Sequence, residues 1–255
     1  MTPPRAQARA AARSTHPVAL YQPAVPAVPS APPIAVIQIP RIDWDYLIER
    51  RPFVLRHAID LPAYLLLPEV RGLLATIYKA QSQLLFSTLW HTGARISEVL
   101  ALTPASFHLD PRGAHVSLNT LKKRGRPKAT LSRVPARMVP LHDPGYLNLL
   151  RTYLASHSLR PQQRLFPITR QAADARLRVI VETYDAAQLA AKQPKLSIAV
   201  SCKTFRHSFA VNCVLHGRPL PALQAWMGHS SIETTQIYTQ VLTAETGHLM
   251  VGVEF

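Results

Sequence analysis

Residues 203–239 read KTFRHSFAVNCVLHGRPLPALQAWMGHSSIETTQIYT, a helical run, a glycine, a second run, a second glycine and a third run. The pattern predicts a helix over 203–215 closed by Gly217 and another over 220–227 closed by Gly228, because glycine most readily takes the left-handed conformation that ends a helix. A third helix is expected to open at Ser230-Ser231-Ile232-Glu233, where Ser230 and Glu233 fit a capping box. It carries Thr234, Thr235 and Tyr238. Taken alone, Tyr238 reads as an amphipathic core tyrosine.

Upstream, apolar residues at Val70, Leu73, Leu74, Ile77, Leu84, Leu85 and Leu89 keep a helical period between Pro68 and Trp90. They predict one long core helix stopped at Thr92-Gly93. A short helix over about 95–101 follows, so Arg95 stands at a helix start just after a glycine turn, and Thr103-Pro104 fits the start of a further short turn. Two β-prone stretches, 115–121 with Val116 and Leu118 alternating and 137–141, flank an acid-free basic loop. From Tyr146 onward the texture is helical again, with Leu147, Leu150, Tyr153 and Leu154 recurring. The fold class is therefore mainly α with a small antiparallel β-sheet (α+β).

The chain has 255 residues and 47% of them are hydrophobic, enough for a sizeable core without disulfides or metal. Cys202 and Cys213 are its two cysteines, with no Cys-x-x-Cys spacing, which argues against a disulfide framework and a zinc site; Cys213-x-x-His216 reads as packing on one helix. Lys plus Arg is 29 against 14 for Asp plus Glu, a formal charge of +15. An anionic partner is expected, nucleic acid before membrane. No apolar run approaches the ~20 residues that cross a bilayer, and no secretory signal is visible, so a cytoplasmic protein is expected.

Residues 1–40 hold nine of the 23 prolines and no acidic residue. They read as an extended arm, with Arg5, Arg9 and Arg13 recurring every four residues, a pattern that suits phosphates or, less well given the prolines, a mitochondrial presequence. At Asp43 the texture changes: Asp43, Trp44, Tyr46, Leu47 and Ile48 predict a short capped helix leading through Pro52 into apolar sequence. The expected partition is an arm with a short helix over 1–60 and one globular domain over 61–255.

Three boxes carry a resemblance. Gly228-His229-Ser230-Ser231, with Tyr238-Thr239 nine residues after the histidine, resembles the C-terminal box of the tyrosine recombinases, the phage-integrase family. Thr204-Phe205-Arg206-His207-Ser208-Phe209-Ala210 resembles that family's second arginine box, and the 23 residues from Arg206 to His229 are its usual gap. His91-Thr92-Gly93-Ala94-Arg95-Ile96-Ser97-Glu98-Val99-Leu100 is similar to the first arginine box. Ordered boxes at matching spacing are far more specific than a single motif. The resemblance covers roughly 61–245, the family's catalytic domain, and implies that fold. Many members carry a DNA-clamping domain of about a hundred residues before it; here some sixty residues precede it, forty of them Pro-rich, so the clamp is expected to be absent or supplied by another chain.

What the resemblance implies is site-specific recombination by cutting and rejoining DNA. Tyr238 attacks the scissile phosphate, leaving a 3′-phosphotyrosine and a free 5′-hydroxyl. A tyrosine whose unperturbed pKa is ~10 needs help to lose its proton. Arg95 and Arg206, as planar forks, hold the non-bridging oxygens, and His229 donates to them. These cations supply the charge a metal would otherwise bring, so no cofactor and no divalent metal are expected. The acid for the leaving 5′ oxygen is implied to be a lysine of the hairpin loop: Lys122 first, then Lys123, with Lys128 third. One departure matters, since the family most often has histidine three residues before its second arginine, where this chain has Lys203. Lysine occurs there in some members, and Lys203 is expected to orient the phosphate without acting as a base.

The same loop contains Lys123-Arg124-Gly125-Arg126-Pro127-Lys128, which resembles the AT-hook core that enters narrow A·T minor grooves. Lys123, Arg124, Arg126 and Lys128 are therefore candidate DNA contacts, although a solvated basic loop would look the same. The expected partner is double-stranded DNA, bound by a homotetramer on paired sites with a dimer per site. The apolar tail over 241–255 packs on its own core or docks on a neighbouring protomer. Two other functions share these features: a type IB topoisomerase, and a non-catalytic architectural DNA-binding protein on a recombinase scaffold.

Overall fold

The computed structural model describes residues 42–58, 60–119 and 136–245. All of them belong to the second of the chain's two units, Pro40–Phe255. The arm, the basic loop with Lys122, Lys123, Arg124, Arg126 and Lys128, and the tail beyond 245 lie outside the described residues.

Helix α3 (Ala80–Thr92) is the axis of the domain: Leu84, Leu85, Phe86, Thr88 and Leu89 are completely shielded from solvent, so it is buried on nearly every side. Helix α7 (Cys202–Leu215) packs along it with Phe86 stacked on Phe205, ring centroids 5.8 Å apart. Helix α5 (Pro144–His157) covers another side, where the Tyr146 hydroxyl meets Thr88 Oγ1 at 3.0 Å. Burial pushes the Tyr146 phenol well above its ordinary range, so it remains a neutral hydrogen-bonding group.

The expected long helix is two helices, α2 (Leu67–Ala75) and α3, broken over 76–79. Thr76 turns its hydroxyl back onto the Leu73 carbonyl at 2.7 Å, a local bond that competes with helix continuation. Both helices feed one apolar cluster, so the period runs on through the break while Tyr78 stands 87% exposed.

The short helix after Arg95 is α4 (Ile96–Val99), and Thr103 caps a 3₁₀ turn, Pro104–Ser106. Strands β1 (Phe107–His108), β2 (His115–Asn119) and β3 (Ala136–Pro140) form one antiparallel sheet in the order β1-β2-β3. Strand β1, only two residues long, is an addition to the expected pair. In the β2–β3 register Leu118 faces Arg137 and Asn119 faces Ala136. Helix α6 (Arg170–Ala190), the longest among the described residues, lies within the stretch read only as helical in texture.

Helix α8 (Leu220–Met227) ends at Gly228, whose φ is 64°, as the glycine pattern requires. The capping box at Ser230 does not form. Residues 230–232 make a bend, and α9 (Glu233–Gln236) starts after Ile232 with no side-chain cap. The bend has a use: it folds His229 back so that its Nδ1 meets Thr235 Oγ1 at 2.9 Å. A 3₁₀ turn, Ile237–Thr239, and α10 (Gln240–Glu245) complete the described chain.

Helix α1 (Trp44–His57) is capped by Asp43 as expected, but it runs 14 residues with Pro52 inside it. Its Leu47 and Val54 enter a second apolar cluster with Leu61, Tyr64, Val211, Leu215, Met227 and Tyr238. Arg51, 1% exposed, reaches from α1 to Glu69 of α2 in a two-pronged ion pair, and also donates to the Tyr64 carbonyl at 3.1 Å and Ser197 Oγ at 2.8 Å.

Candidate active site

The site is assembled at the ends of helices. Helix α3 stops at Gly93, which has φ 58°; a Cβ there would stand 2.3 Å from Phe209 Cδ1, so only glycine fits. Two residues on, Arg95 is the N-cap of α4. Arg206 comes from the first half of α7 and is 6% exposed. Its Nη1 donates to the Gly93 carbonyl at 2.6 Å and its Nη2 to the Met227 carbonyl at 2.7 Å. One guanidinium thus satisfies the terminal carbonyls of α3 and α8, which have no partner inside their own helices. Burial, then Arg95, lower its pKa to about 10, so it stays charged at neutral pH.

A third arginine, which the sequence does not single out, completes the cationic group. Arg137 of β3 grips Glu98 with both ends of its fork, 2.8 Å to Oε1 and 2.7 Å to Oε2, and its Nε donates to the Trp226 carbonyl at 2.7 Å. Glu98 also accepts from the Arg95 backbone N–H at 2.7 Å and from Arg95 Nη1 at 3.2 Å. Burial works to raise the pKa of Glu98, but the bonds from Arg137 and the Arg95 amide outweigh it and hold the carboxyl below its ordinary range. Glu98 is therefore the anion around which Arg95 and Arg137 are arranged. Its spacing, three residues after a helix-start arginine, is the signal that points to it; nothing local marks Arg137.

Arg95, Lys203 and Arg206 line one open cleft of about 690 Å³, whose opposite wall is α6 with Arg170 and Arg178. Arg95 keeps 46% of its side chain exposed and Lys203 is exposed, so both are available to a ligand. His229 is half-buried, and burial followed by Arg206, Arg95 and Arg137 lower its pKa to about 4. Tyr238 is 2% exposed, held within the second apolar cluster. Its pKa is pushed up to about 12 by burial, against the pull of Arg206.

The hydroxyl of Tyr238 meets Nδ1 of His207 at 2.8 Å. His207 is the second residue the sequence reading missed; adjacent to Arg206, it looks like part of the arginine box. Burial, then Lys203, Arg206 and His229, lower its pKa to about 4. Of the predicted residues, the structure gathers Arg95, Arg206, Lys203, His229 and Tyr238 around this point, and the loop residues lie outside the described part. Cys213 and His216 do not form a metal pair: burial raises the Cys213 thiol to about 12, and His216 Nδ1 bonds to the Asn212 carbonyl at 2.7 Å. Among the described residues no group of three or more His, Cys, Asp or Glu is placed to hold a metal. No helix among them is long and apolar enough to cross a membrane.

The two neutral histidines have a consequence for stability. Each binds its proton near pH 4 in the folded state and near 6.5 when unperturbed, so the unfolded chain binds more protons between those values. Their contribution is complete above pH 6.5 and is lost as pH falls towards 4. The thermal midpoint is expected to be highest above pH 6.5 and to drop on acidification. Melting followed by circular dichroism checks this, with a shallower slope between pH 6.5 and 4.5 in a chain carrying both His207→Asn and His229→Asn.

A sequence model of the phage integrase family matches residues 64–245. A resolvase of Escherichia coli is 38% identical over 223 residues, covering 82% of this chain and 85% of that protein. The tyrosine recombinase XerD of Corynebacterium glutamicum is 32% identical, covering 66% of this chain and 51% of its own length. In fold, the chain is similar to the XerH site-specific recombinase in a post-cleavage complex with its palindromic difH substrate. That similarity has a TM-score of 0.58 at 21% identity, over 75% of this chain and 52% of the other.

Proposed function

The chain belongs to the phage integrase family of tyrosine-type site-specific DNA recombinases, and from that premise we propose how its own residues cut and rejoin DNA. The scissile phosphate enters the cleft between Arg95, Lys203 and Arg206. Arg95 and Arg206 bond its non-bridging oxygens, where negative charge grows as the phosphorus becomes five-coordinate. We assign Thr235 as the donor to Nδ1 of His229, which leaves the proton of that neutral ring on Nε2 as a third donor. Lys203 adds a point charge beside them.

Tyr238 Oη attacks the phosphorus and the bond to the 5′ oxygen breaks, leaving the 3′ phosphate on the tyrosine. The energy of the broken bond is kept in the link, and ligation is the reverse reaction. Lys122, or Lys123 beside it, is the proposed acid for the leaving 5′ oxygen. Asn119 and Ala136, which bound that segment, are cross-strand partners, and the neighbouring Arg137 is bonded to Glu98 at the site. Lys123, Arg124, Arg126 and Lys128 are proposed to contact the DNA from the same segment.

We assign the catalytic domain to residues 61–255, preceded by the arm and by α1, which packs on it through Leu47 and Val54. The assembly we propose is a homotetramer on two paired sites, a dimer on each, acting on DNA in the cytoplasm. Among the outcomes of strand exchange, integration, excision, inversion and resolution, the similarity to a protein named resolvase favours resolution. The observation that carries the mechanism is the double anchoring of Arg206 on Gly93 and Met227, which draws all three boxes to one point.

The test is covalent capture. Nicked duplexes from a random-sequence pool are incubated with the protein in EDTA, denatured, and the protein–DNA adducts recovered and sequenced. An adduct that disappears in Tyr238→Phe is the expected result. Duplexes retained by the native protein without any adduct would instead indicate a non-catalytic DNA-binding protein.

A further inference from the structure

At the place where the family usually has histidine this chain has Lys203, and the structure puts an imidazole one turn further along the same helix. Lys203 and His207 are four residues apart on α7 and share a face. Their surroundings differ. Lys203 opens into the cleft with Arg95 and Arg206, whereas His207 is half-buried and directs Nδ1 at the Tyr238 hydroxyl, 2.8 Å away. The two rings are tilted by 42° with centroids 5.9 Å apart, so the contact is a hydrogen bond and not a stack.

We propose that His207 is a catalytic residue of strand cleavage, its Nδ1 taking the phenolic proton of Tyr238 as Oη attacks phosphorus. The inference deepens the mechanism above and rests on Tyr238 being the nucleophile. In the forward step the Oη–P bond forms and the P–O5′ bond breaks. The phenolic proton moves to Nδ1, making an imidazolium, and the leaving 5′ oxygen takes a proton from the lysine acid. In ligation the 5′-hydroxyl returns its proton to the now neutral lysine as it attacks, the P–O5′ bond forms and the Oη–P bond breaks, and His207 returns its proton to Tyr238.

Three observations support this assignment. Among the described residues, His207 is the one side chain bonded to the Tyr238 hydroxyl. The hydroxyl belongs to a side chain 2% exposed, in an apolar cluster that keeps bulk water from acting as the acceptor. The groups facing the imidazole are Lys203 and Arg206 on its own helix, His229 from the turn after α8 and Tyr238 itself; with burial, the first three keep it uncharged at neutral pH. A neutral imidazole can accept a proton, and a DNA phosphate entering the cleft offsets the positive charge that holds its basicity down. The transfer is then concerted with bond formation, since the phenol becomes acidic only as Oη bonds to phosphorus.

Two measurements test it. In ¹⁵N-histidine-labelled protein without DNA, NMR at pH 7 is expected to show His207 neutral, with the proton on Nε2 and Nδ1 bare; a proton on Nδ1 overturns the proposal. In single-turnover cleavage of a nicked duplex captured from the random pool, His207→Asn keeps an acceptor near the Nδ1 position but cannot take the proton. Its rate at pH 7 is expected to fall about 100-fold or more with DNA binding unchanged, and to climb with pH as hydroxide takes over. The defect is expected to persist on a duplex with sulfur at the bridging 5′ position, whose thiolate leaves without an acid. Added imidazole is expected to restore part of the rate of His207→Ala. An asparagine variant within threefold of the native protein, with the same pH profile, overturns the proposal. An adduct that survives Tyr238→Phe overturns the nucleophile assignment instead, which separates the two failures.

Discussion

Replacing Arg206 by lysine is expected to reduce strand cleavage by about 10²–10³-fold while leaving DNA affinity nearly unchanged. The substitution keeps the charge, and charge governs most of the non-specific attraction to phosphates. It removes the planar fork. Arg206 uses two of its nitrogens on carbonyls that belong to different helix ends, at 2.6 and 2.7 Å, and a lysine ammonium on its flexible stem does not reproduce that span. One buried carbonyl loses its partner, at a cost of about 1–3 kcal/mol, and the phosphate loses a pre-aimed donor. Single-turnover cleavage, filter binding and thermal melting on the same preparation separate the three effects. A lysine variant cleaving within tenfold of the native protein would mean that positive charge alone is used there.

The second large effect concerns the scaffold. Arg51→Ala is expected to destabilise the fold by about 3–5 kcal/mol, because it leaves the Glu69 carboxylate buried without its partner. Glu69 is 7% exposed and also accepts from the Leu66 backbone N–H at 2.8 Å. The contrast is Arg170–Asp174 on α6, where the separation is 3.7 Å and the side chains are 70% and 40% exposed; removing that pair is expected to change stability by less than about 1 kcal/mol. Urea unfolding measures both. Replacing Arg51 and Glu69 together by methionine is expected to recover most of the loss, since a buried pair is commonly matched by apolar residues of similar volume. Arg51 lies outside the cleft, so the folded fraction of Arg51→Ala is expected to cleave at the native rate.

Arg95, Arg206, His229 and Tyr238 were legible in the sequence because each sits in a short local pattern whose spacing is set by one helix or one turn. Glu98 carries a local signal, three residues after the helix-start Arg95, but Arg137 does not, since their bond joins residues 39 apart on a helix and a strand and no local pattern encodes that meeting. His207 was hidden differently. It lies beside Arg206 in a helical run, and its role depends on the turn that carries Tyr238, 31 residues away. The break between α2 and α3 escaped because both helices feed one apolar cluster. The absent capping box at Ser230 shows one local contact, His229 on Thr235 six residues on, overriding another local preference.

The anchoring of Arg206 also governs what the chain can tolerate in length. Gly93 and Arg206 are 113 residues apart, yet one hydrogen bond fixes their relation. The spacing that must be conserved is therefore short-range: from Gly93 to Arg95, and the 21 residues between Arg206 and Met227. The segment joining α5 to α6 can vary in length without touching these bonds, provided it returns α7 to the end of α3, whereas the β2–β3 region with Arg137 and the proposed lysine acid must keep its place. An engineer adding a reporter or a new DNA-reading element would place it among the exposed residues 162–164 of the connection between α5 and α6, ahead of the buried Leu165 and Phe166, and leave Gly93 and Met227 untouched.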